Sequence, residues 1–156
     1  MSDSAFLTPA AALSHWQAHR RLTRRVIEAF PADQLFTFSV GGMRSFGEMC
    51  NEFLSMTIPM TEGTVTGNWA AYTAGKAATK ADVLAAWDAD TATLDALWPK
   101  IDPARFPETI TAFGQYTGKL HDLLMYVIDN EIHHRAQGYV YLRALGINPP
   151  EFYDRS

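Results

Sequence analysis

Cysteine is almost missing from this chain: its 156 residues include one, Cys50. A lone thiol excludes an internal disulfide framework and a multi-cysteine zinc site. Set in an apolar-periodic stretch, it reads as core packing. Basic charge is also in short supply, with 13 Lys and Arg against 17 Asp and Glu and a net charge of -4. With an isoelectric point near 5.7, the chain lacks the basic face of a nucleic-acid binder. Its one basic run, Arg20-Arg21 with Arg24-Arg25, reads as the solvated face of a first helix. Long apolar runs are missing as well. The longest, Leu123 to Ile128, is far too short to span a bilayer, and no basic-then-apolar leader opens the sequence. The expectation is therefore no nucleic acid, no membrane and a cytoplasmic location. Alternating apolar and polar positions are lacking too, so any strand is short. No internal repeat or low-complexity tract occurs.

What the sequence does contain is helical periodicity. At this length a single domain over residues 1–156 is expected, with enough chain to bury a core. Helix one starts at Thr8-Pro9, a capping residue followed by a proline suited to the first helical position. Trp16, His19, Thr23, Val26, Ile27 and Phe30 form its stripe, and Pro31 ends it. Helix two opens on Ser45-Phe46-Gly47-Glu48, a capping-box pattern. It buries Phe46, Met49, Cys50, Phe53 and Thr57, and Pro59 closes it. Helix three starts near Thr79 with Asp82 three residues on and stops before Pro99. Helix four runs from about Thr117 to Leu145, with Gly146 as its C-terminal cap and Pro149-Pro150 beyond. Between helices two and three, residues 59–78 hold Gly63, Gly67 and Gly75, a long connection of the kind that often carries function. Four apolar-striped helices of this size predict an all-α four-helix bundle.

The polar residues on the inward faces carry the functional question. On helix four, Leu120, Leu124, Val127, Glu131, His134, Gly138, Tyr141 and Leu145 step by three and four. Asn130 and His134 are i and i+4, so their side chains can meet over one place, with Gln137 within a turn. His133 points about 100° away from His134. A satisfied core histidine with amide partners is the plain alternative to a site. Glu52 lies at the edge of helix two's apolar face, where it can ligate a metal, pair with His134 or simply reach water. His15 and His19 form another i, i+4 pair, a spacing that can hold zinc or nickel and that also occurs often by chance.

The run Asp129-Asn130-Glu131-Ile132-His133-His134-Arg135-Ala136-Gln137, followed by Tyr141-Leu142-Arg143-Ala144-Leu145-Gly146-Ile147 and Pro149-Pro150, closely resembles the DinB/YfiT superfamily. Arg44-Ser45-Phe46-Gly47-Glu48 is similar to that family's opening of helix two, and helix order and loop placement extend the resemblance over essentially the whole chain. The resemblance implies a four-helix bundle of a class regarded as metal-dependent enzymes, some of them thiol S-transferases and isomerases that use bacillithiol or mycothiol. It implies one divalent metal, often nickel or zinc, held by three histidines. Those three positions fall on Glu52, Asn130 and His134, of which only His134 is an imidazole. A carboxylate is an acceptable ligand and a neutral amide a weak one, so a Glu-Asn-His set would hold nickel or zinc loosely or not at all. Gln137, Tyr141 and His133 are the expected substrate contacts. The expected partner is a small molecule, a low-molecular-weight thiol above all, and a homodimer is left open. Two function classes follow. One is a metal-assisted S-transferase or hydrolase with an altered metal site. The other is a non-catalytic, metal-free member that binds a small molecule or a protein partner.

Overall fold

The computed structural model describes residues 6–69 and 73–156. The described residues form four α-helices: α1 (Pro9–Ala29), α2 (Phe46–Thr66), α3 (Lys80–Leu97) and α4 (Leu120–Ala144). Two 3-10 turns, Trp98–Lys100 and Pro103–Arg105, and a hairpin of β1 (Thr109–Ala112) and β2 (Tyr116–Lys119) bridge α3 to α4. The strands pair antiparallel with Ala112 opposite Tyr116. Their turn takes Phe113 and Gly114 into the left-handed region, which costs glycine little and a phenylalanine more.

The helix starts follow from local chemistry. Thr8 Oγ1 accepts from the Ala11 N–H at 3.1 Å, with Pro9 directly after it. Ser45 and Glu48 close a reciprocal capping box on α2, as Thr79 and Asp82 do on α3. Helix α4 ends with Gly146 left-handed at φ +76° and the Ile147 N–H returned to the Leu142 carbonyl. Its start differs from the sequence expectation. Residues 116–119 are spent on β2, so the helix begins at Leu120.

Two further expectations are corrected. Pro59 does not close α2; the helix passes through it to Thr66 and ends at left-handed Gly67. A proline removes one helical donor and crowds the preceding turn. Beyond it, however, Met60, Thr61, Gly63 and Thr64 are all buried, and that packing outweighs the local cost. The connection to α3 therefore starts at Gly67, and its residues 70–72 lie outside the described residues. The basic run of α1 is likewise not uniformly solvated. Arg20 is 1 % exposed, its guanidinium 4.1 Å over the Trp87 ring and bonded to the Trp87 carbonyl at 3.0 Å.

Helix α2 packs on α3 and α4, and α1 packs on the same two. One core cluster joins Val26, Ile27, Phe30, Phe46, Phe53, Trp87 and Tyr141, and a second joins Trp16, Met60, Leu94, Trp98, Leu124 and Ile128. Along each helix, buried or half-buried polar residues lie between the two clusters: His19, Arg20 and Thr23 on α1, Thr57 on α2, Thr91 on α3, Glu131 and Arg135 on α4. Among the described residues no helix is long and apolar enough to cross a membrane.

Helices α2 and α4 come into close contact at Gly138. A Cβ there would lie 2.7–2.9 Å from the Phe46 ring, which is fully buried and stacked on Phe30 at 4.8 Å between centroids. The ring has no free side to retreat to. Gly138→Ala is expected to cost about 1–3 kcal/mol by overpacking, read as a lowered denaturation midpoint. An unchanged midpoint would show that α2 and α4 are not locked there.

Candidate functional site

The residues predicted to share a site do meet. Glu52 sits in the second turn of α2, and Asn130 and His134 face it from adjacent turns of α4. Asn130 Nδ2 donates to Glu52 Oε1 at 2.8 Å. His134 Nε2 lies 3.3 Å from the same oxygen. On its other side, His134 Nδ1 meets Gln137 Oε1 at 2.5 Å, and the Gln137 amide nitrogen donates to Met43 Sδ at 3.1 Å. The geometry of the other two expected substrate contacts is different. Tyr141 is fully buried and donates its hydroxyl to the Arg44 carbonyl at 2.8 Å. His133 is exposed, edge-on to His134 with centroids 4.9 Å apart.

A fourth residue completes the group and was missed as a site residue. Arg44, just ahead of the α2 cap, donates from Nη1 to Glu52 Oε2 at 2.5 Å, and its Nη2 lies 3.4 Å from His134 Nε2. Its only sequence signal was its place in the Arg44-Ser45-Phe46-Gly47-Glu48 run, read there as a helix opening. Burial pushes the Glu52 carboxyl up, but the Asn130 amide, the Arg44 guanidinium and the His134 ring outweigh it and hold it below its ordinary value.

This arrangement does not fit a tightly held metal ion. Glu52 spends one oxygen on a guanidinium and the other on an amide N–H. Because the Asn130 nitrogen faces Glu52, its oxygen, the ligating atom, is on the other side of the amide. The His134 Nε2 atom accepts from Arg44 when neutral and donates toward Glu52 when protonated; neither state leaves it a lone pair for an ion. Among the described residues, no three His, Cys, Asp or Glu side chains are grouped to hold one. The cation in contact with both Glu52 and His134 is Arg44.

Beside Glu52 opens a groove of about 800 Å³ between α2, the hairpin and α4. Met56 and Met60 line it from α2, Phe113 and Tyr116 from the hairpin, and Tyr126 and Val127 from α4. Glu52 closes the end toward Asn130, and Asp122 stands two turns away along α4.

Outside this site, His15 and His19 pack edge-on at 4.5 Å. His19 Nδ1 faces Arg135 at 3.0 Å and its Nε2 faces Arg155 at 3.3 Å. Burial, with the charges of Arg135, Arg155 and His15, holds the ring down to about 3. Both His19 nitrogens are engaged by guanidinium groups, which leaves His19 no lone pair to share with His15 in holding a metal. Cys50 is fully buried, its thiol pushed up by burial and by Glu131, in keeping with a packing role. Sequence reasoning placed Glu131 on the inward stripe but gave it no partners. It is 2 % exposed, with Thr23 Oγ1 at 2.5 Å and Trp16 Nε1 at 3.4 Å, while Arg135 donates to the same Thr23 oxygen at 3.1 Å.

Comparison with known proteins agrees with this fold. The DinB family model matches residues 1–156, and the chain belongs to the DinB family. A DinB-like protein from Bacillus subtilis superposes with a TM-score of 0.74 at 21 % identity, over 93 % of this chain and 99 % of that one. A DinB-like protein from Bacillus cereus superposes with a TM-score of 0.75 at 18 % identity, over 96 % of this chain and 100 % of that one. At these identities the likeness is one of fold. No curated protein sequence matches the chain.

The buried carboxyl yields a pH prediction. Burial raises the Glu131 pKa, against the opposing pull of Arg20, Thr23, Arg135 and Trp16. The folded state then keeps a proton that the unfolded chain has lost, so this stabilisation is full below the unfolded carboxyl pKa and disappears as pH rises through the folded one. Relative to Glu131→Gln, the natural protein should lose stability in urea titrations as pH rises above the ordinary carboxyl value of 4.5. Parallel pH profiles for the two would show that Glu131 is ionised throughout.

Proposed function

We propose that this chain is a metal-free member of the DinB family that binds a small organic molecule in the groove beside Glu52, and that it is not a metal-dependent thiol S-transferase. One observation carries the reading. The Arg44 guanidinium bridges Glu52 and His134, two of the three positions to which the family resemblance gives metal-binding imidazoles. A guanidinium supplies charge and directed N–H donors, but no open coordination position and no Lewis-acid activation of a thiol or water. What it can do is hold the carboxylate and imidazole in fixed orientations at the end of a mostly apolar groove, the usual form of a small-molecule site.

Metal content of the purified protein, measured before any metal is added, tests the reading. We expect nickel and zinc far below stoichiometric amounts. The triple variant Arg44→Ala, Glu52→His, Asn130→His should gain nickel or zinc affinity by at least about a hundredfold over the natural chain, because it removes the competing cation and restores three imidazoles. A natural protein that purifies with close to one tightly bound metal per chain refutes the proposal and returns the chain to the metal-assisted class.

A further inference from the structure

Resting on that reading of the groove, we infer that its ligand is a hydrophobic primary amine, bound as the ammonium ion with its nitrogen at the Glu52 end. Three separate features favour this class. The first is charge. The groove is lined by Glu52 and Asp122 and by no lysine or arginine. Arg44 balances Glu52 from the far side, at Oε2, so Asp122 leaves the groove with an excess of negative charge. His121 Nε2 lies 3.3 Å from Asp122 Oδ1, but both side chains are largely solvated, where such a pair counts for little.

The second is an acceptor surplus at the Glu52 end. Asn130 Oδ1 is buried and has no hydrogen-bond partner among the described residues, although the nitrogen of the same amide donates to Glu52 Oε1. Turning the amide over would set its oxygen against the carboxylate, so the orphan acceptor is fixed as an acceptor. Leaving it unpaired is costly. A carboxylate offers about four acceptor positions, and Asn130, Arg44 and His134 account for three at Glu52. Asn130 does not line the groove, so its oxygen lies behind the wall, whereas Glu52 lines it and keeps one acceptor position open to a donor. An ammonium group brings three N–H donors and no acceptor, whereas a carboxylate or phosphate brings acceptors only.

The third is the walls. Met56, Met60 and Val127 form an apolar channel, and the rings of Phe113, Tyr116 and Tyr126 border it. Methionine sulfur and aromatic faces accept an alkyl or aryl body, and ring faces attract a cation lodged among them.

Three probes with one body and three charges test the inference: 4-phenylbutylamine, 4-phenylbutanol and 4-phenylbutyrate. Each is titrated near neutral pH into full-length protein carrying ¹³C-methyl methionine, with the Met56 and Met60 methyl signals as the readout. We expect both signals to move, with the amine bound roughly tenfold tighter than the alcohol and the carboxylate weakest, the scale of a partly desolvated ammonium contact. Glu52→Gln leaves Arg44 uncompensated, so the order should turn toward the carboxylate while the alcohol's affinity stays nearly constant. Asp122→Asn, an exposed change without risk to folding, should reduce the amine's advantage by about twofold to threefold. Equal binding of all three probes at Met56 and Met60 would overturn the amine inference and leave the small-molecule reading standing. If no probe moves those methyl signals, both fall.

Discussion

The contact on which the site depends is the approach of α4 to the start of α2 at Gly138. The missing Cβ lets the Phe46 ring lie against the helix backbone. Phe46 is the first residue of α2, so this contact fixes where that helix begins. One turn further along α4, the Tyr141 hydroxyl holds the Arg44 carbonyl, pinning the residue just outside the capping box. With its backbone held there, Arg44 reaches down the first two turns of α2 to Glu52, and His134, one turn before Gly138, meets the same pair. A side chain at Gly138 would act on the site by moving its supports, without touching any of its polar atoms.

Below that contact the bundle carries a layer that a purely apolar core would not contain. Thr23, Glu131 and Arg135 are joined by direct hydrogen bonds between α1 and α4, while Arg20 ties α1 to α3 through Trp87 and Thr91 and to α2 through Thr57. Buried polar and charged groups of this kind contribute little net stability, because desolvation offsets their attraction, and removing one partner alone is expensive. The effect that survives this cancellation is on alignment. Apolar stripes tolerate a slide of one helix along another, but a carboxyl that must meet Thr23 and Trp16 does not. Since Glu131 is next to Asn130 in sequence, the register that satisfies the buried layer also brings Asn130 and His134 opposite Glu52.

The parts of the fold written in local chemistry were legible in the sequence. Thr8-Pro9, the Ser45–Glu48 box, the Thr79–Asp82 box and Gly146 each mark a helix end through bonds made within a few residues. Leu120, Leu124, Val127, Glu131, Gly138 and Tyr141 were all correctly placed inward. Pro59 misled because its penalty is local, whereas the burial of Met60 and Thr64 that overrides it is tertiary. The hairpin was hidden because four-residue strands are too short to show alternation. Within the site, the i, i+4 spacing and the family resemblance were enough to bring Asn130 and His134 to Glu52. Arg44 was not recoverable in that way. It lies 90 residues from His134 in the chain, and an arginine ahead of a helix cap has many solvated alternatives.

Arg44 also changes what the position can do. A divalent ion would draw Glu52, Asn130 and His134 inward through oxygen and nitrogen lone pairs, and it would present an open face to a reactant. A guanidinium takes the carboxylate and imidazole from the side, as a donor of hydrogen bonds, and asks nothing of the Asn130 oxygen, which is left buried without a partner among the described residues. The consequence is an inversion of what the site requires. A metal centre lacks electron pairs and recruits a thiolate, hydroxide or carbonyl oxygen. The Glu52 end of this groove instead presents a carboxylate held by donors on its far side, a surface suited to a further hydrogen-bond donor. On the reading proposed above, a bundle with the same helices and the same three positions would recognise a hydrogen-bond donor instead of activating a nucleophile.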